Sequence, residues 1–313
     1  MCREKTHLDP ANYKFVRRYG EIVAKLDGHV AGQQFVIDNC KECCILVLDH
    51  TKSVTIDDCE KCLIVLGPCK GSVFIRDCVN CSVFTACQQF RSRDCINMDI
   101  FLFCATPPII ESSRQMRFRS LALSYEKLDD HMANAGLSPF INNWKNIHDF
   151  TPETNANFTI CETEYNSIEN MDLLNNLEKV KFTRELSYFP VYSLSDVPLE
   201  ETVILLSKDP SKGKTSELYS TTRNELKEFL ARGAQVLSTK DLIIRKGDLN
   251  AVCQLKNAAD FSGRLVVIEL AFSMSEAKDI LSSGEHHLEL VCDEEKAAYR
   301  IDLRKLEQIQ MLL

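Results

Sequence analysis

Four consecutive segments decide the fold: Gln33–Thr51 reads QQFVIDNCKECCILVLDHT, Lys52–Lys70 reads KSVTIDDCEKCLIVLGPCK, Gly71–Cys87 reads GSVFIRDCVNCSVFTAC, and Gln88–Thr106 reads QQFRSRDCINMDIFLFCAT. Stacked on one another they place Cys40/Cys43, Cys59/Cys62 and Cys78/Cys81 in one phase. The fourth copy carries Cys95 and, where its second cysteine would fall, Met98. The first cysteines are separated by 19, 19 and 17 residues. A period near 20 is the mark of a repeat architecture in which each unit buries its apolar side only against its neighbours. Within each copy the residues alternate. Phe35, Val54, Val73 and Phe90 share an inward slot, and Ile37, Ile56, Ile75 and Ser92 share the slot two residues on. Successive strand residues face opposite ways. The outward slots therefore hold Val36, Thr55, Phe74 and Arg91, then Asp38, Asp57, Arg76 and Arg93, and, one slot earlier, Gln34, Ser53, Ser72 and Gln89. A parallel β-helix with strands stacked about 4.8 Å apart accounts for this pattern, and a right-handed coil is expected.

Two Cys-x-x-Cys pairs fifteen residues apart also have the spacing of a zinc site. Three pairs in register and a fourth with methionine favour a ladder of buried thiols, because free cysteine packs as a small hydrophobe and methionine fills the same space. Eleven of the fifteen cysteines lie between Cys40 and Cys104. The odd total, and an opening Met1-Cys2-Arg3-Glu4-Lys5 with no apolar core, point to a cytoplasmic protein with reduced thiols.

The full chain of 313 residues suggests two domains. Hydrophobic residues are 45% and charged residues 26%, which excludes wholesale disorder. No apolar run approaches the roughly 20 residues that span a bilayer. A formal charge of -8 argues against a nucleic-acid partner. After the repeats, Pro107-Pro108 marks an irregular exit strand, and Glu111 is placed to anchor an arginine on the neighbouring coil. Leu121, Leu123, Tyr125, Leu128 and Met132 have a helical spacing that would cap the solenoid end. Phe140 and Trp144 read as cover for its mouth.

Residues 151–200 read as a polar linker with a short helix near Met171–Val180. Beyond it come strands at Thr202–Ser207, Gln235–Thr239, Asp241–Arg245, Arg264–Leu270 and His287–Val291, and helices at Ser220–Arg232, Leu249–Ala259 and Ser273–Ser282. This suggests a small α+β sandwich of order β-α-β-β-α-β. The boundaries expected are an N-terminal segment 1–26, a β-helix domain 27–152, a linker 153–200 and an α+β domain 201–313.

On the fourth copy Gln89, Arg91 and Arg93 point the same way. Outward arginines on a strand are usually solvated. A guanidinium on a stiff platform is also suited to phosphate oxygens, with a planar fork of donors that stays charged.

The stretch from about Leu8 to Phe150 resembles the tubulin-binding cofactor C domain family, a right-handed parallel β-helix. The resemblance rests on Val30-Ala31-Gly32-Gln33-Gln34-Phe35, Val54-Thr55-Ile56-Asp57-Asp58-Cys59, Leu66-Gly67-Pro68, Lys70-Gly71-Ser72-Val73-Phe74, Ala86-Cys87-Gln88-Gln89-Phe90-Arg91, Arg93-Asp94-Cys95, Pro108-Ile109-Ile110-Glu111-Ser112-Ser113 and Asn146-Ile147-His148-Asp149-Phe150-Thr151-Pro152. The C-terminal third is similar to a nucleoside-diphosphate-kinase-like domain, as in one branch of that family.

The resemblance implies a GTPase-activating protein for a small G protein of the ADP-ribosylation-factor-like class (ADP-ribosylation-factor-like protein 3) in its GTP form. Arg91 would be its arginine finger. Gln89 and Glu111 would orient the finger, with Gln88 beside it and Arg93 and Phe150 at the G-protein interface. No metal and no cofactor of the chain's own is implied; GTP and Mg²⁺ would come with the partner. The alternatives are a tubulin-folding cofactor acting on β-tubulin GTP and a non-catalytic G-protein-binding scaffold. The family link further implies trafficking of lipidated ciliary proteins and residence in the cytoplasm, at the plasma membrane or at the cilium base. Position 2 is Cys rather than Gly, so acylation of Cys2 is open and N-myristoylation is not. The histidine-bearing Asn-x-x-His-Gly-Ser segment of active nucleoside-diphosphate kinases is missing, so no such activity is expected of His286 or His287.

Overall fold

The computed structural model describes residues 9–162, 180–183, 187–209, 215–244 and 262–291. They belong to two units, Met1–Val191 and Tyr192–Leu313.

The first unit is a parallel β-helix. Its strands are β1 (Lys14–Val16), β2 (Ile22–Lys25), β3 (Phe35–Asp38), β4 (Cys44–Val47), β5 (Val54–Asp57), β6 (Leu63–Leu66), β7 (Cys69–Arg76), β8 (Ser82–Arg93), β9 (Ile96–Cys104), β10 (Ile109–Glu111) and β11 (Arg114–Ser120). They are followed by β12 (Ser124–Tyr125), α1 (Leu128–Ala135), β13 (His148–Asp149), β14 (Phe158–Ile160) and β15 (Val180–Lys181). One side of the coil runs β1-β3-β5-β7-β8-β10-β13 and a second runs β2-β4-β6-β8-β9-β11-β14, with β8 long enough to serve both. Single bridges Tyr19↔Lys41↔Glu60↔Val79↔Ile96 form a narrow third side.

The Cys-x-x-Cys motif marks the two corners of that third side. Asn39, Asp58, Asp77 and Asp94 stand just before the first cysteine of each pair, and Glu42, Lys61, Asn80 and Asn97 just before the second position. All have φ between 50° and 57°. The left-handed conformation costs most residues about 1–2 kcal/mol, and Asn and Asp bear it best because their side chains bond locally. The residue after each bend turns inward into a narrow space, where the thiol meets backbone carbonyls of its own coil and of the preceding one. Cys59 Sγ donates to the Asp57 carbonyl at 3.3 Å, Cys62 to that of Cys40 at 3.3 Å, and Cys78 to that of Arg76 at 3.1 Å. The thiols therefore stack as a buried ladder. The nearby Cys44 thiol is pushed up to about 11 by burial.

The same corners recur where cysteine does not. Arg17 and Gly20 bend the first coil, and Ser112 and Gln115 bend the sixth. In the sixth coil the Ser113 hydroxyl donates to the Glu111 carbonyl at 2.9 Å, in the manner of the thiols. The coil thus starts within residues 1–26, and residues 109–120 are a full turn rather than an irregular exit.

The two strand sides differ in their outer surface. On the first, β3 and β5 alternate buried and half-buried, so the outer residues face solvent. On the second, every residue of β4 and β6 is buried. Leu46, Val65, Phe84 and Phe101 form an outer ladder there, with Phe84 and Phe101 stacked 4.3 Å apart. Leu128, Met132 and Ala135 of α1 cover it, together with Val180, Phe182 and Phe189. Sheets covered on both faces read as continuous apolar runs. The expected cap of the solenoid end is therefore a cover on its flank. Its helix begins only at Leu128, because Leu121 to Tyr125 continue in extended form.

In the second unit β16 (Thr202–Asp209), α2 (Thr215–Ala231), β17 (Gln235–Ile244), β18 (Gly263–Ala271), α3 (Met274–Ser282) and β19 (Leu288–Leu290) form an antiparallel sheet of order β17-β18-β16-β19 with two helices. The strands expected at 235–239 and 241–245 are one strand. A bulge between Val236 and Ser238 absorbs the break in alternation, and β18 pairs along its whole length. The helices expected at 249–259 and 171–179 lie outside the described residues. Val180 belongs to β15.

Candidate functional site

The open first side carries the site. Arg91 is exposed on β8 between Phe90 and Ser92, both buried, which fix its backbone. Its rung neighbours are Phe74 on β7 and Ile109 on β10, with His148 of β13 beyond. The guanidinium carbon lies 5.9 Å from the centroid of the Phe74 ring, within the range of a cation–π contact. The next rung aligns Arg76, Arg93 and Glu111. Together with Phe150 these residues line a groove of about 600 Å³.

The three arginines of the groove differ in their partners. Arg76 is clamped by Asp57 from the preceding coil, Nε to Oδ1 at 2.8 Å and Nη2 to Oδ2 at 2.7 Å. The pairing holds the Arg76 guanidinium above its ordinary range. Arg93 Nε lies 3.2 Å from Asp94 Oδ2. Among the described residues no carboxylate engages Arg91. It rests on an aromatic face with all five N–H donors available to a ligand.

The residues singled out in the sequence divide into two groups. Arg91, Arg93, Glu111 and Phe150 line the groove. Phe150 is 59% exposed and sits edge-on to the His148 ring at 4.5 Å, its backbone N–H bonded to the Ile110 carbonyl. Gln88 and Gln89 lie on the same strand and are half-buried. Gln89 Oε1 accepts from the Ser72 hydroxyl at 3.0 Å, and the Gln88 carbonyl accepts from the Thr106 hydroxyl at 2.9 Å. Glu111 is in register with Arg93, one rung from Arg91, and among the described residues no hydrogen bond or ion pair joins it to Arg91. Sequence reasoning passed over Phe74 and the Asp57–Arg76 clamp. Both were visible in the stacked copies, since Phe74 fills the Arg91 slot one coil earlier and Asp57 precedes Arg76 in the next slot.

In the second unit Glu225 accepts the N–H groups of His287 and Leu288 at 2.9 Å each, and its Oε1 lies 3.0 Å from His287 Nδ1. The two adjacent histidines thus stand at the start of β19. Among the described residues, the group with donor atoms all within 4.8 Å of one another is Asp49, His50 and His131 rather than a set of thiols.

Residues 32–150 match the family model Tubulin binding cofactor C. The chain is 38% identical to Protein XRP2 of Danio rerio over 285 residues, covering 86% of this chain and 72% of that protein. It is 40% identical to Protein XRP2 of Gallus gallus over 257 residues, covering 80% and 71%. Tubulin Binding Cofactor C from Leishmania major aligns in structure with a TM-score of 0.31 at 23% identity, over 45% of this chain and 87% of that one. With its repeats, its parallel coil and these relatives, the chain belongs to the tubulin binding cofactor C family, in the branch represented by Protein XRP2.

Proposed function

We propose that this chain is a GTPase activator that supplies Arg91 in trans to a small G protein of the ADP-ribosylation-factor-like class in its GTP form. The observation that carries this is the contrast along the groove: Arg76 and Arg93 are each paired with a carboxylate, and Arg91 is exposed on a paired strand and, among the described residues, without one. Phosphoryl transfer needs little covalent help and much charge stabilisation. An arginine supplied in trans raises the rate roughly 10³–10⁵-fold, about 4–7 kcal/mol of barrier. That gain requires a group already oriented when charge develops, which a β-helix strand provides better than a loop. The partner would bring GTP, Mg²⁺ and the residue that positions water. Phe150 offers an apolar contact at the rim, and Arg76 and Arg93, each already paired with a carboxylate, have fewer donors left for a ligand.

Single-turnover GTP hydrolysis across a panel of such G proteins tests the reading. Wild type should accelerate at least one of them, and Arg91→Ala should abolish the acceleration while the complex still forms. Equal stimulation by Arg91→Ala would refute the finger role. The family's name favours a second reading, β-tubulin as the partner, which uses the same groove; acceleration of tubulin GTP hydrolysis alone would select it. Binding of the G protein with no change in rate would mark a scaffold.

A further inference from the structure

A polar cluster interrupts the apolar interior just after β4. The Asp49 side chain is fully buried, and its Oδ2 accepts the N–H groups of Val30 at 2.7 Å and Ala31 at 2.8 Å. Its Oδ1 accepts the His50 N–H at 2.8 Å and faces His50 Nδ1 at 3.1 Å and His131 Nε2 at 3.6 Å. His131, buried on α1, also presents Nε2 to Asp27 Oδ1 at 3.0 Å, and its Nδ1 lies 2.9 Å from the Tyr125 hydroxyl. Two glycines make room for this. A Cβ on Gly67 would come within 2.5 Å of the Asp49 carbonyl oxygen and 2.7 Å of the Tyr125 hydroxyl. At Gly32, with φ +75°, a Cβ would lie 3.0 Å from His50 Nε2, so that nitrogen packs against the glycine and Nδ1 is the one turned to Asp49.

We infer that Asp49, His50 and His131 form a binding site for a divalent transition-metal ion of the zinc class, with Asp27 beside His131 at its edge. The argument is one of valence and spacing. His131 Nε2 carries at most one proton, yet two carboxylates face it, at 3.0 and 3.6 Å. One N–H satisfies one of them; a dication satisfies both. The three donor atoms lie within 4.8 Å of one another, with Asp49 Oδ1 3.1 Å from His50 Nδ1 and 3.6 Å from His131 Nε2. A tetrahedron with metal–ligand bonds of 2.0–2.1 Å has edges of about 3.3 Å. Two imidazole nitrogens with a carboxylate oxygen suit zinc rather than calcium or magnesium, which take oxygen alone. The outer contacts also fit: Tyr125 holds the second nitrogen of His131, and two backbone N–H groups hold the second oxygen of Asp49. Asp27 is exposed and gives the ion a way in. A bound ion would tie α1 and the 27–32 loop to the coil. This inference is independent of the role proposed for Arg91.

The test is titration of the reduced full chain, stripped with EDTA, with Co²⁺ and then Zn²⁺. The expected result is one equivalent of Co²⁺ with visible ligand-field bands and no sulfur-to-cobalt charge transfer in the near ultraviolet, and a Zn²⁺-dependent rise in thermal midpoint that EDTA reverses. Asp27→Asn, at an exposed position, and His131→Gln should each weaken binding roughly tenfold or more, and Tyr125→Phe about 10–100-fold. Asp27→Asn should keep the EDTA midpoint of the wild type. Absence of stoichiometric binding, a charge-transfer band that assigns the metal to cysteines, or binding unchanged in both Asp27→Asn and His131→Gln would overturn the inference.

Discussion

Arg91 shows how far the character of one position is set by its neighbours. In the stacked copies its slot holds Val36, Thr55 and Phe74 before it. A solvated strand arginine would lose rotamer freedom on meeting a ligand, a cost that grows with the number of torsions to be fixed. The Phe74 ring beneath the guanidinium restricts those torsions in advance and faces the charge with its electron-rich surface. An exposed contact of this kind is worth about 0.5–1 kcal/mol. If Arg91 acts as proposed, Phe74→Leu should slow stimulated GTP hydrolysis about two- to fivefold, with binding of the G protein little changed, read by single-turnover rates beside an affinity measurement. Glu111, which the order of residues offers as the partner of Arg91, stands one rung away opposite Arg93. Separation along the chain does not reveal which rung a residue joins. That depends on the length of chain between, and here an offset of 18 residues sets Ile109 rather than Glu111 opposite Arg91.

At the scale of strands and turns, Asp99 on β9 is gripped from the next coil. Arg117 places Nε 2.9 Å from Oδ1 and Nη2 2.6 Å from Oδ2, and Arg119 also bonds Oδ1. Burial by itself would raise this carboxyl, but the two guanidinium groups outweigh it and hold it below the ordinary carboxylate range. A carboxyl lowered in the folded state adds stability above its unfolded pKa, near 3.9, and loses that contribution as pH falls through the folded value. Asp99→Asn should therefore cost about 1.5–3 kcal/mol at pH 7, and the gap to wild type should close below about pH 4, as denaturant midpoints at the two pH values will show. Much of this level was legible in advance. The inward ladders of Phe35, Val54, Val73 and Phe90 pair as the alternation demands. The coils without cysteine escaped notice because the repeat was read through its cysteines. What the corner requires is a residue that bears the left-handed bend followed by a slim or pliant side chain, and Ser113 and Met116 meet that need as well as Cys40 and Cys43 do. The flank cover also escaped, because its parts, α1 on one hand and Val180, Phe182 and Phe189 on the other, are far apart in the chain.

Over the whole coil, each turn is stabilised chiefly by the turns on either side, so stability should vary along the axis in the manner of a one-dimensional array. Among the described residues the first turn has a neighbouring turn on one side, and Tyr19, Ile22 and Leu26 beside it are exposed at 68%, 56% and 40%. Hydrogen exchange should accordingly be fastest at β1 and β2 and slowest at β5 to β8, a gradient that uniform protection would contradict. The shortened third copy has a mechanical effect. Between the pairings Cys69↔Cys87 and Ser72↔Gln89 the register slips, the chain finds no length for a bend, and β8 runs unbroken from one wall of the coil to another. The lever that bears Arg91 is thus continuous with the rod that carries Phe84, clamped under the aromatic stack. Any thrust delivered to its tip by an arriving protein is taken up by the keel rather than by a yielding hinge.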